Sequence, residues 1–213
     1  MKKTALGVLA LAGTLVVQLA GAGPSTAGDR VTTKTEMRGE GVTAEFVRTD
    51  GCIQTNVSVF GSVFTARGSA PPEKVGYVSV IKINTCTAVT LIDGFGDATT
   101  LNLALPNGLS KGRLRMSMEF TNYADAENPV VSQVTADVSF RATAQAVKTS
   151  EKSKSLSEGV RFVSSEKTKA RPVSAAGTVT LGTEKVLSPD TASISGTAGS
   201  VLSKEKTVTR PVK

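Results

Sequence analysis

The stretch CIQTNVSVFGSVFTARGSAPPEKVGYVSVIKINTC (residues 52–86) carries both cysteines of the chain, one at each end. Its two halves alternate apolar and polar residues with a period of two, the signature of half-buried strands. The Gly-, Ser- and Pro-rich GSAPP (residues 68–72) between them reads as a turn. Strands over 52–64 and 74–86, folded about Ser69, set Cys52 opposite Cys86. Ile53, Thr55, Val57, Val59, Gly61 and Val63 then face Thr85, Ile83, Ile81, Ser79, Tyr77 and Val75. Directly opposed residues of an antiparallel pair lie about 4.5–5.5 Å apart at Cα, within reach of a disulfide. One register thus accounts for the alternation and for a Cys52–Cys86 bridge.

The start of the chain sets the compartment in which that bridge forms. Lys2 and Lys3 precede an uncharged apolar run from Ala5 to Leu19, followed by the small residues Ala20-Gly21-Ala22. This is the pattern of a secretory signal peptide over 1–22, with a second candidate cleavage point at 27. The expected location is periplasmic or extracellular, and the MKKTA start has a bacterial look. An even, small cysteine count in an exported chain points to a structural cross-link. No later segment is apolar enough to span a membrane as a helix.

Alternation continues beyond the cysteines at Val42, Ala44 and Phe46, and at Leu101, Leu103 and Leu105 after a turn-rich DGFGDAT. It is cleanest at Leu114, Met116, Met118 and Phe120, and from Val130 through Val134, Ala136, Val138 and Phe140 to Ala142 and Ala144. Matching these last two faces across NYADAENP puts Asp137 opposite Arg113 or Arg115 on the solvent side. Alternation resumes at Val173, Ala175, Gly177, Val179 and Leu181, then at Ala192 and Ile194. Helical spacing is poor throughout, and turn residues recur every 8 to 15 positions, which argues for a sandwich or barrel. The expected fold is all-β, a single antiparallel β-sandwich of about eight to ten strands. Residues 23–40 read as a flexible segment, 41–200 as the sandwich and 201–213 as an edge strand or frayed tail. Within the domain, 147–171 is a polar Lys/Ser-rich loop or edge hairpin, with GVRFV (159–163) its only buried candidate.

The segments GCIQTNVSVFG, NTCTAVTLIDGFG, GLSKGRLRMSMEF and RPVSAAGTVTLG, in that order, resemble a group of exported bacterial β-rich proteins. The resemblance spans roughly Val42 to Gly182. It implies an extracytoplasmic sandwich with no known activity and supplies no active-site residues.

Composition removes several catalytic constellations. The chain has no histidine, which excludes the Ser-His-acid triad, the Cys-His dyad and the HExxH zinc helix. Ser164-x-x-Lys167 matches a nucleophile pattern only within a Ser/Lys-rich run, without the partner motifs that pattern needs. Glu45, Glu119 and Asp137 are the carboxylates from which a hydrolase would have to be built. Asp93 with Asp97, and Asp125 with Glu127, are candidate calcium ligands in acidic turns. No cofactor motif and no specific nucleic-acid motif is present.

Charge is distributed unevenly. Residues 23–147 carry 11 basic and 12 acidic side chains, hence −1, whereas residues 148–213 carry 12 and 6, hence +6. Lys152, Lys154, Lys167, Lys169 and Arg171 are candidate contacts to an anionic envelope polymer or another exported protein, although a Lys-rich run also serves simply to solvate a surface. A non-catalytic binding or structural domain is the expected function. The alternative is a secreted, carboxylate-dependent hydrolase, working alone or with calcium.

Overall fold

The computed structural model describes residues 31–68, 71–106, 108–157 and 160–209. The expected signal peptide lies outside them. Ten strands follow one another: β1 (Val31–Asp50), β2 (Ile53–Ala66), β3 (Glu73–Asn84), β4 (Val89–Ala104), β5 (Lys111–Asn122), β6 (Val130–Ala142), β7 (Val147–Ser157), β8 (Val160–Leu181), β9 (Glu184–Leu187) and β10 (Ser195–Thr209). The described residues contain no helix.

All pairings are antiparallel and belong to one sheet, in the order β10-β1-β2-β3-β4-β5-β6-β8-β7. Strand β8 closes the circuit. Its half from Val173 to Leu181 pairs with β6, and its half from Val160 to Pro172 pairs with β10. Closure removes the open edges of the ring β10-β1-β2-β3-β4-β5-β6-β8, while β7, held by β8 alone, stays outside it. Strands β6 and β7 form an almost continuous arm of a long hairpin with β8, interrupted at 143–146, where the Thr143 amide donates to the Pro172 carbonyl at 3.0 Å.

The interior is one hydrophobic cluster supplied by alternate residues. Val42, Ala44 and Phe46 come from β1, Leu114 to Phe120 from β5, Val134 to Phe140 from β6, and Val173, Ala175 and Val179 from β8. Each fully buried side chain of Val or Phe size stabilises the fold by roughly 1.5–3 kcal/mol relative to exposure. Leu109, in the β4–β5 loop, is also buried in this cluster, with φ of +53°. The interior is thin between β2 and β5, since Leu114 occupies the space where a Cβ on Gly61 would stand.

Several expectations change. DGFGD is not a turn but the middle of β4, with Gly94 and Gly96 pointing inward. A Cβ on either would collide with the Thr121 or Glu119 carbonyl of β5, so glycine is needed here for close backbone approach rather than for a bend. The segment 31–40, expected to be flexible, is strand paired with β10. Strand β10 is neither an edge nor frayed, since β1 flanks it on one side and β8 on the other. Val130, Ile194 and Phe162 are exposed although the alternation pattern or GVRFV suggested burial.

The β2–β3 register differs by one residue from the expected one. The ladder runs from Ile53↔Asn84 to Phe64↔Glu73, pairing Val57 with Val80 and Val59 with Val78. Val57 and Val59 face inward as expected, but on β3 the inward set is Gly76, Val78 and Val80, not Tyr77, Ser79 and Ile81. Tyr77 instead stacks on Phe60 outside, with ring centroids 5.3 Å apart.

The cysteines are nonetheless bonded, because both lie beyond the ladder. Cys52 ends the β1–β2 turn, where Gly51 takes φ of +57°. Cys86 lies in the 85–88 turn that joins β3 to β4. The Thr85 amide and hydroxyl both donate to the Cys52 carbonyl, at 2.7 and 2.9 Å. Asn84 Oδ1 accepts from the Cys86 and Thr87 amides at 3.1 and 3.2 Å, curling the turn so that residue 86 rather than 85 meets Cys52. The Cα atoms are 5.4 Å apart, and the Cys52–Cys86 disulfide joins two adjacent hairpin turns.

Candidate anion-binding face

At the barrel end opposite the disulfide, β7, the first half of β8, β10 and the first half of β1 extend as a four-stranded arm. Opposed residues in these ladders share a face, so each face of the arm can be read row by row. One row is Lys148, Lys169, Ser200, Glu40, and the next is Ser150, Lys167, Leu202, Arg38. The third is Lys152, Ser165, Lys204, Glu36, and the fourth Lys154, Val163, Lys206, Lys34.

This face is continuous with the barrel interior. On β8 the odd-numbered positions are Val173 and Ala175 in the core, then Arg171, Lys169 and Lys167 in the arm. On β1 the even positions change likewise, from Phe46, Ala44 and Val42 to Glu40, Arg38, Glu36 and Lys34. The strand period never breaks; only the residue type changes, from apolar to charged, cationic on β8 and mixed on β1. The reverse face of the arm bears Glu151, Glu166 and Glu205 and, among the described residues, no lysine or arginine. Adjacent strands lie about 4.8 Å apart and alternate residues about 6.7 Å apart, so the cations form a close grid.

All five sequence-predicted cations fall on this one face. Lys152, Lys154 and Lys167 are exposed and make no ion pair among the described residues. Arg171 sits where the face meets the core, and its Nε is buried without a hydrogen-bond partner among the described residues. Lys34, Arg38, Lys204 and Lys206 were not among the expected contacts because 23–40 read as a flexible segment and 201–213 as an edge strand or frayed tail, although their spacing of two or four residues was a visible signal.

Glu36 supplies countercharge within the face. Lys204 Nζ donates to it at 3.0 Å and Arg38 Nη2 at 2.9 Å. The hydrogen bond from Lys204, followed by that from Arg38, holds the Glu36 carboxyl below the ordinary carboxylate range. An open depression of about 280 Å³ beside it is lined by Glu36, Arg38, Thr65 and Arg67.

The acidic candidates are dispersed. Asp93 and Asp97 are outward positions of strand β4, not of a loop, and four residues of strand separate their Cα atoms by about 13 Å. Asp125 is engaged within its turn. Its carboxylate accepts from Asn128 Nδ2 at 3.2 Å and from the Glu127 amide at 3.1 Å, and these bonds, that from Asn128 first, hold its carboxyl low. Among the described residues no group of three or more Asp, Glu, Cys or His side chains is arranged to hold a metal ion.

Asp137 pairs with Arg113 Nε and Nη2, both at 2.6 Å, and with Arg115 Nε at 3.2 Å, as the sequence predicted. Glu45 lies on β1, accepting from Ser195 Oγ at 3.0 Å, while Glu119 is exposed on β5, separated from β1 by three strands. The structure therefore brings Glu45, Glu119 and Asp137 to no common cleft.

Fold and face together define an all-β chain with a closed antiparallel sheet and a cationic arm. A scan against protein-family models finds no match, and searches of curated proteins and of solved structures find no similar protein. These comparisons leave the resemblance to exported bacterial β-rich proteins where the motifs put it.

Proposed function

We propose that the protein is an exported, non-catalytic binding domain that engages an anionic partner at or outside the cell envelope through the cationic arm. Leu114 lying over Gly61 supports reading the closed sheet as flattened into two layers, the sandwich expected from sequence. The disulfide is compatible with export.

The observation that carries the binding reading is the sorting of charge. Lysines that merely solvate a surface would gain nothing from facing one way, yet here the strand period collects every lysine and arginine of the arm on one face, where Glu36 and Glu40 are the carboxylates among them, and gives the other face only Glu151, Glu166 and Glu205 among the described residues. A grid of like charges is destabilising unless counterions or a polyanion occupy it. The scattered carboxylates remove support for the hydrolase alternative.

Retention of the exported form on immobilised polyphosphate tests the proposal. Neutralising Lys152, Lys154, Lys167 and Lys169 to Gln should abolish retention near physiological salt, with folding checked by circular dichroism. Unchanged retention by the folded variant would refute it.

A further inference from the structure

Among the described residues β7 is the only long strand that pairs on one side alone: β8 holds it from Ser157 to Val147, and no other described strand reaches it. All eleven of its residues are exposed. An edge of that length presents a row of amide and carbonyl groups free to pair with another chain. Its ends carry two of the most exposed large apolar side chains of the molecule, Val147 at 64% and Leu156 at 73%.

What such an edge accepts follows from its register. Two copies related by a two-fold axis meet edge to edge with antiparallel strands and with equivalent faces on the same side. Opposed residues must then have the same parity. The register centred on Ser150 sets Lys148 against the second copy's Lys152, and that centred on Glu151 sets Lys148 against Lys154. Centring on Lys152 opposes that residue to itself, and centring on Ser153 sets Lys152 against Lys154. Every extensive self-pairing thus puts like charges directly opposite, which is destabilising. The edge rejects its own copy, while its hydrogen-bonding groups and apolar ends stay on offer.

We infer that β7 takes up an extended acidic segment of another protein as an added strand, with carboxylates at alternate positions opposite Lys148, Lys152 and Lys154. This rests on the anionic-partner reading above and narrows the partner to a peptide chain. Main-chain hydrogen bonds supply affinity and the alternate charges supply selection, the division of labour in strand-addition recognition. The segment's other face meets Glu151, Ser153 and Ser155, so it is uncharged or basic there.

The test uses an eleven-residue peptide with Glu at alternate positions and apolar ends, and a twin with identical side chains whose alternate backbone amides are N-methylated along one edge. Fluorescence anisotropy with the exported protein should show the peptide binding at least tenfold more tightly than its twin. Equal binding of the two would overturn strand addition while leaving charge-driven binding to polyphosphate intact. Loss of both peptide and polyphosphate binding would overturn both readings.

Lys152→Glu gives an independent check. The new carboxylate at 152 faces Lys148 in the register centred on Ser150 and Lys154 in that centred on Ser153, so the edge becomes self-complementary. Light scattering should find the wild type monomeric and the variant dimeric at the same concentration. A wild type that dimerises through β7, or a variant that stays monomeric and binds the acidic peptide as the wild type does, would contradict the inference.

Discussion

Leu109 and Asp137 show how single side chains act at opposite ends of the polarity scale. Leu109 is 2% exposed and holds a left-handed backbone conformation that costs a non-glycine residue roughly 1–2 kcal/mol, so its packing must more than offset that cost. Leu109→Ala should lower stability by about 2–4 kcal/mol, read from the urea midpoint at unchanged slope. A loss below about 0.5 kcal/mol would mean that the side chain is not packed as described. Asp137 works through charge. The hydrogen bond from Arg113 holds its carboxyl below the ordinary range, so the folded state favours the ionised form. That contribution is fully present above the unfolded carboxylate pKa, about 3.9, and is lost as pH falls through the lower folded value. Between pH 5 and 2 the wild type should therefore lose more stability than Asp137→Asn. Parallel acid limbs would show the ion pair to be inert. The pair is over a third exposed and solvent-screened, so the effect is modest.

At the scale of elements, the disulfide ties together two neighbouring hairpins at one end of the barrel. Its loop spans a sequence separation of 34, for which the chain-entropy account gives roughly 3–4 kcal/mol. Reduction should lower the urea midpoint by that equivalent, and Cys52→Ser with Cys86→Ser should match the reduced protein. A reduced protein as stable as the oxidised one would contradict this. Much at this scale was legible in the sequence, because a buried strand face announces itself every second residue. Leu114 to Phe120 and Val134 to Phe140 face the core as their spacing required. The cysteine pairing was legible too, but the register between the cysteines was not. The Asn84 turn advances the chain by one position outside the ladder, and no periodicity records that step. DGFGD misled for a related reason: glycine marks both a turn and a close backbone approach, and only the position of β5 decides between them.

On the scale of the whole molecule, closure depends on partners remote in sequence. Strand β10 joins β1, more than 150 residues earlier, to β8. Val42, Ala44 and Phe46 announced the inner half of β1, but the outer halves of β1 and β10 did not look like interior strand, because they are rich in Thr, Ser, Lys and Glu and bury little apolar surface. The cationic candidates of the β7–β8 hairpin were visible as a charged run, but the grid they form with β1 and β10 exists only once the sheet has closed. The face, rather than the net charge, is what the binding account requires. Exchanging neighbours along β7 tests that directly: Lys152→Ser, Ser153→Lys, Lys154→Ser and Ser155→Lys together keep composition, net charge and exposure while moving two cations to the reverse face. The account predicts that this folded variant elutes from immobilised polyphosphate at clearly lower salt than the wild type. Elution at the same salt would contradict it.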